Sequence, residues 1–225
     1  NSYLIQAPEV ALFDPPGESF TESFLEELQQ QQYYQRIAYI ILSHVNPNRV
    51  ATLKPLLAVA TYATVICSKP AANVLRAAFA NEADPRTQTE EEALDFGIQY
   101  DAEHSFKLHL VRDEETLNLG GGHELQFRYL PTPRHPDQIC TYDAGTGILF
   151  SDKLFGAHVC GDELWDAHWR QLSDDRRYYF DCLHAAQAPQ VESALQKLEP
   201  FKAKLYAPAH GPMVRHSISR LTLDY

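Results

Sequence analysis

The sequence predicts an α/β fold in which two β-sheets pack together with helices outside, an αββα sandwich. Short β-prone runs are followed by helical periodicity, and this order is given twice along the chain. At 225 residues the chain is long enough to close such a sandwich around one large core, so a single domain over 1–225 is the expectation.

The elements follow in order. Tyr3 to Ile5 and Val10 to Phe13 read as a hairpin across Gln-Ala-Pro-Glu, ending at Asp14 and the breaker Pro15-Pro16-Gly17. Thr21 to Tyr34 takes helical spacing through Phe24, Leu25 and Leu28, with Thr21 as N-cap. Ile37 to Leu42 is a nearly continuous apolar run, which suits a strand buried on both faces. It feeds the loop Ser43 to Arg49, then a helix carrying Val50, Leu53, Leu56 and Leu57. A strand at Thr64 to Cys67 and a helix at Pro70 to Phe79 complete the first half.

Asn81 to His104 is polar and acidic without a strong period and reads as a surface excursion. Beyond it the strands Leu108 to Val111, Leu125 to Tyr129, Ile139 to Tyr142 and Ile148 to Phe150 are expected, with Gly120-Gly121-Gly122 as a turn. Helices at Asp175 to Leu183 and Val191 to Leu198 and a strand at Leu205 to Ala207 close the series.

Composition narrows the function. Hydrophobic residues make up 44% and charged residues 22%, ordinary for a globular protein. The net charge of −11 argues against a nucleic-acid or anionic-membrane partner, which needs a cationic footprint. With no apolar run long enough to span a bilayer and no signal-peptide pattern, the expected location is the cytoplasm. Cys67, Cys140, Cys160 and Cys182 are widely spaced and read as reduced, mostly buried thiols. The abrupt opening Asn-Ser-Tyr-Leu-Ile reads as a fragment of a longer protein.

Five motifs occur in one order: Asn1-Ser2-Tyr3-Leu4-Ile5; Ser43-His44-x-Asn46-x-Asn48-Arg49; Pro131-x-Pro133-Arg134-His135-Pro136-Asp137; Leu149-Phe150-Ser151-Asp152-Lys153-x-Phe155-Gly156-x-His158; and Pro208-x-His210-Gly211-Pro212. Together they resemble the metallo-β-lactamase-like N-terminal domain of flavodiiron proteins. Thr141-Tyr142-Asp143 and Phe155-Gly156-Ala157-His158 resemble the cyanobacterial diflavin members. In that family the first loop reads His-x-Glu-x-Asp-His, a turn that aims carboxylates and imidazoles at two irons. Here His44 keeps its type, while Asn46, Asn48 and Arg49 stand where Glu, Asp and His would be.

The resemblance further places Arg134 at the position of a ligand His, anchored on Pro136-Asp137. His135 becomes a candidate only through a one-residue slip. Lys153 stands at the bridging Asp position, and His210 matches the last ligand. Three carboxylates are lost and three cations, Arg49, Arg134 and Lys153, are gained. A guanidinium offers no lone pair to a metal, so no iron is expected, and these three cations become candidates for binding an anion or for pairing with Asp137 and Asp152.

His158 reads as packing near the site through a structural hydrogen bond, and Trp165, Trp169, Tyr178 and Tyr179 as an aromatic cluster for packing or dimerisation. The resemblance implies a parent with flavodoxin-like and flavin-reductase domains that this chain lacks. Such a parent would pass electrons from NAD(P)H through FMN or FAD to oxygen, as a homodimer or as a heterodimer with a metal-competent paralogue. The rival expectation is a noncatalytic scaffold or anion-binding regulatory subunit. A zinc hydrolase needs His-x-His-x-Asp-His, which Asn46 and Arg49 interrupt.

Overall fold

A computed structural model describes residues 1–80, 106–132 and 134–225, together with the backbone of 98–101. It divides into two compact units, each with its own sheet.

In the first unit a six-stranded mixed sheet has the order β1-β2-β3-β4-β6-β5. β1 (Tyr3–Ile5) and β2 (Val10–Phe13) form the expected antiparallel hairpin, and β3 (Ile37–Ile41) and β4 (Thr64–Cys67) continue in parallel from β2. β6 (Phe106–Leu110) pairs parallel to β4 and antiparallel to the edge strand β5 (Ile98–Asp101). The parallel strands need helical crossovers, supplied here by α1 (Thr21–Gln30), α2 (Pro47–Val59) and α3 (Lys69–Ala80). Leu12, Ile40, Leu53, Leu56, Val65 and Leu75 belong to one buried cluster. Full burial of such side chains stabilises by about 1.5–3 kcal/mol each.

The second unit is built on a five-stranded mixed sheet, β11-β10-β9-β8-β7. Its strands are β7 (Thr116–Gly120), β8 (His123–Tyr129), β9 (Ile139–Asp143), β10 (Ile148–Asp152) and β11 (Leu205–Pro208). β11 runs parallel to β10, while β8, β9 and β10 are antiparallel neighbours. The helices are α4 (Ser173–Leu183), α5 (Ala188–Leu198) and the short α6 (Ile218–Asp224). Leu130, Leu149, Phe155, Leu198, Tyr206 and Val214 share its core cluster.

Several expectations need correction. The first helix stops at Gln30 rather than Tyr34, because the chain turns through Gln32 at φ +58 and re-forms only a 3-10 turn at Tyr34–Arg36. Thr21 is not its N-cap; the residue is already helical, and its hydroxyl shares a 2.6 Å hydrogen bond with that of Thr52. Most of the excursion read at Asn81 to His104 lies outside the described residues, apart from β5. Of the four thiols, Cys67 and Cys140 are buried, Cys182 is half-buried and Cys160 is exposed, so the group is less buried than expected.

Candidate functional site

Strand β3 delivers the chain to the turn Leu42 to Asn46, and the turn is organised by helix capping. Asn46 is the N-cap of α2: its Oδ1 accepts the Arg49 backbone N–H at 2.9 Å, with Pro47 pre-set for the first helical turn. This fixes Arg49 one turn into α2, where its guanidinium is buried. Nη1 donates to Asp14 Oδ1 at 2.8 Å, lies 3.1 Å from His44 Nδ1, and donates to the His44 carbonyl at 3.0 Å. The other ring nitrogen of His44, Nε2, is 3.1 Å from Asn46 Nδ2. Both neighbours present N–H groups, and a neutral imidazole accepts at one ring nitrogen only, so one of these two contacts is a hydrogen bond and the other is packing.

Asp14 is the residue that sequence reasoning missed. It ends β2 in the left-handed region at φ +52, a conformation non-glycine residues adopt only where their surroundings hold them. The surroundings here are specific: its backbone N–H donates to Ile41, its carboxylate accepts the Ser43 N–H at 2.9 Å, and Ser2 Oγ donates to its carbonyl at 2.5 Å. Buried Arg49 was expected to meet Asp137 or Asp152; its counter-ion is Asp14 instead. Asn48 is exposed and does not join this network, its Oδ1 accepting the Glu18 N–H at 3.2 Å.

In the five-stranded unit, Lys153 follows β10 and is buried, with Nζ 2.9 Å from His210 Nε2. An ammonium carries only donors, so His210 Nε2 accepts and the ring is neutral. The surrounding protein and then the Lys153 ammonium push the His210 imidazole down, to about 3. The residue is open to water on one side, which screens both effects, and burial and the ammonium act in the same direction. Gly211 next to it takes φ +78, and a Cβ there would meet the Ala157 carbonyl oxygen at 3.0 Å.

Tyr179 from α4 packs beneath this corner, its ring 4.6 Å from His158 and 6.1 Å from His210, centroid to centroid. Its hydroxyl is buried without a hydrogen-bond partner among the described residues, and burial pushes the phenol far above its ordinary value. Gly156 makes room for it; a Cβ there would stand 2.8 Å from Tyr179 Cζ. His184 Nε2 donates to the Lys153 carbonyl at 2.8 Å, and burial holds its imidazole below the ordinary value.

The remaining sequence candidates are placed elsewhere. Arg134 was expected beside the other cations; it is exposed, and donates to the Cys182 carbonyl at 3.2 Å, near the C-terminal end of α4. His135 is spent on a local turn, its backbone exchanging two hydrogen bonds with Thr132. His158 is exposed and stacks by ring edges on Tyr178 and Tyr179. Of the four aromatics expected as a cluster, Tyr178 and Tyr179 share the His158 ring as a neighbour, while Trp165 lies under Arg215 and Trp169 under Arg170. Among the described residues no three His, Cys, Asp or Glu side chains are grouped to hold a metal ion.

A second buried carboxylate without a sequence signal is Asp166. It accepts the backbone N–H groups of Arg215, His216 and Ser217, the Ser217 hydroxyl at 2.5 Å, and Arg176 Nη2 at 3.4 Å. Burial works to raise its carboxyl, but these donors outweigh it and hold the group below the ordinary carboxylate value.

Two mixed sheets with flanking helices define a metallo-β-lactamase-like α/β protein. The chain belongs to the ODP family of β-lactamase-like domains, whose profile matches residues 1–211. It is 53% identical over its full length to diflavin flavoprotein A 4 of Synechocystis sp. and 51% identical to diflavin flavoprotein A 4 of Nostoc sp.. It spans only about a third of those relatives, 34% and 35% of their lengths. Among solved structures, a metal-soaked flavodiiron core from Synechocystis sp. superposes with a TM-score of 0.88 at 49% identity, covering all of this chain and 51% of that one. The Giardia intestinalis flavodiiron protein, at 22% identity and TM-score 0.84, shares the fold.

Proposed function

We propose that this chain is the core domain of a subunit of a flavin-dependent NAD(P)H:oxygen oxidoreductase, one that hands electrons to a metal-competent paralogue instead of reducing oxygen at its own irons. The observation that carries this reading is Arg49. It stands where the family has a ligand histidine, and it is buried against Asp14 with its guanidinium on the Nδ1 side of His44.

The donor set does not fit a pair of irons. Iron needs carboxylate and imidazole lone pairs; Arg49 and Arg134 have none, protonated Lys153 has none, and Asn46 spends its oxygen on the helix cap. His44 and His210 keep the ligand type, yet N–H donors of Arg49, Asn46 and Lys153 stand against their ring nitrogens. Flavin chemistry enters through the relatives, which are diflavin proteins. In a parent built like them, this domain would supply a rigid subunit surface, and the flavins elsewhere in the protein would carry the electrons to a partner.

The test uses the full-length protein. Iron content after iron-replete expression and oxygen uptake with NADH or NADPH are measured alone and after mixing with a metal-competent relative. Iron far below one per chain, little uptake alone and uptake above the relative's own rate on mixing are expected. Two irons per chain, or full uptake alone, overturns the reading. A regulatory scaffold is the second reading, favoured by the buried Lys153 ammonium beside a neutral imidazole; it requires no flavin-dependent gain on mixing.

A further inference from the structure

A cavity of about 800 Å³ opens in the five-stranded unit where the 3-10 turn Trp169–Leu172, α4 and α6 meet. This is the size range of small-molecule sites, roughly 300–1,000 Å³. It involves none of the residues that stand at the family's metal positions.

The charge around it runs against that of the chain. Overall, 30 acidic residues outnumber 19 Lys and Arg, yet the cavity is lined by four arginines, Arg170, Arg176, Arg177 and Arg220, against three aspartates. Two of the arginines are committed to the wall. Buried Arg176 is tied to Asp166 and Ser217, and Arg220 is paired with Asp224 one helical turn away. Arg170 and Arg177 are exposed, and among the described residues neither has a carboxylate partner. Two guanidiniums so placed offer planar forks of donors, which suit phosphate oxygens.

The rest of the lining is complementary to the remainder of a nucleotide. Trp169 is half-buried and already carries a planar cation, the Arg170 guanidinium, at 4.7 Å from its ring, and Phe180 adds a second aromatic face. Asp174 and Asp181 are exposed acceptors on the same cavity, suited to sugar hydroxyls or an exocyclic amine.

We propose that this cavity binds a mononucleotide, with its phosphate on Arg170 and Arg177, its base against Trp169 and Phe180, and its ribose hydroxyls on the aspartate side. Binding here involves no electron transfer, so it stands or falls separately from the oxidoreductase reading.

Calorimetry on the 225-residue chain with AMP, ADP, adenosine and inorganic phosphate tests it, beside Trp169 fluorescence in a Trp165→Phe background, which removes the other of the two tryptophans. AMP and ADP are expected to bind and change the Trp169 emission, with adenosine and phosphate each far weaker. Arg170→Glu with Arg177→Glu should weaken nucleotide binding by roughly tenfold or more at unchanged melting temperature. Should that variant not fold, Arg177→Gln alone still weakens binding, and affinity still falls with added salt. No heat and no emission change with either nucleotide overturns the proposal. So does phosphate binding as tightly as AMP, which leaves the aromatic faces without a role, or nucleotide binding that survives both arginine substitutions.

Discussion

The two histidine corners invite comparison because each sets a buried cation beside an imidazole, and each holds that cation differently. At His44 the guanidinium of Arg49 has its own buried carboxylate, and the pair is fixed further by a helix cap and a strained strand end. At His210 the ammonium of Lys153 donates to an imidazole that stays neutral, and a buried phenol below it has no hydrogen-bond partner among the described residues. The first corner holds its cation as a structural ion pair. The second keeps an imidazole whose protonation can still change, and this contrast can be tested from its strongest expression to its weakest.

Asp14→Ala should show the largest effect, because removing one partner of a buried pair strands the other charge, at a cost of about 3–5 kcal/mol. Denaturant unfolding measures it. Combining Asp14→Leu with Arg49→Met should cost much less than Asp14→Ala alone. Equal costs would mean that the pair is not what holds this corner.

Gly156→Ala comes next. Its new methyl meets the Tyr179 ring at 2.8 Å, and overpacking of this kind costs about 1–3 kcal/mol. A thermal shift near zero would show that the Tyr179 ring yields freely and that this corner is loose.

The third effect is a titration. The folded His210 value, about 3, lies below the ordinary 6.5, so the unfolded chain binds the proton first. The stability this group contributes is present above pH 6.5 and is lost as the pH falls from there through about 3. Lys153→Met should move the His210 titration, followed by NMR, up toward the ordinary value. An unmoved titration would remove the ammonium from the account of this corner.

Arg134→Ala should do least, within about 0.5 kcal/mol, since its side chain is exposed and makes a single 3.2 Å bond. A loss of several kcal/mol would show that Arg134 belongs with the buried cations after all.

What the sequence made legible follows from how local each signal is. The strand at Thr64–Cys67 and the hairpin before Asp14 rest on local apolar patterning, and they stand where they were expected. β7 was missed although its residues alternate in burial, because its outward side chains are polar and the run abuts three glycines. The motif order drew attention to Arg49 and Lys153, both of which are buried. It could not show that Asn46 acts as a cap, although Asn followed by Pro at the start of an apolar helix carries that signal. Nor could it find Asp14, which lies 35 residues from Arg49 and looks like an ordinary residue before a proline turn. Asp166 is hidden for the same reason, since four of its donors come from residues 49 to 51 positions further along.

The Asp14–Arg49 pair also bears on the mutational routes open to this sequence. Arg49→His alone would leave the Asp14 carboxylate, at 7% side-chain exposure, with the Ser43 amide in place of a guanidinium. Asp14→Ala alone would leave a buried guanidinium without a counter-charge. Each single change is thus penalised by the partner that has not yet changed, so the two positions are expected to be exchanged together or not at all.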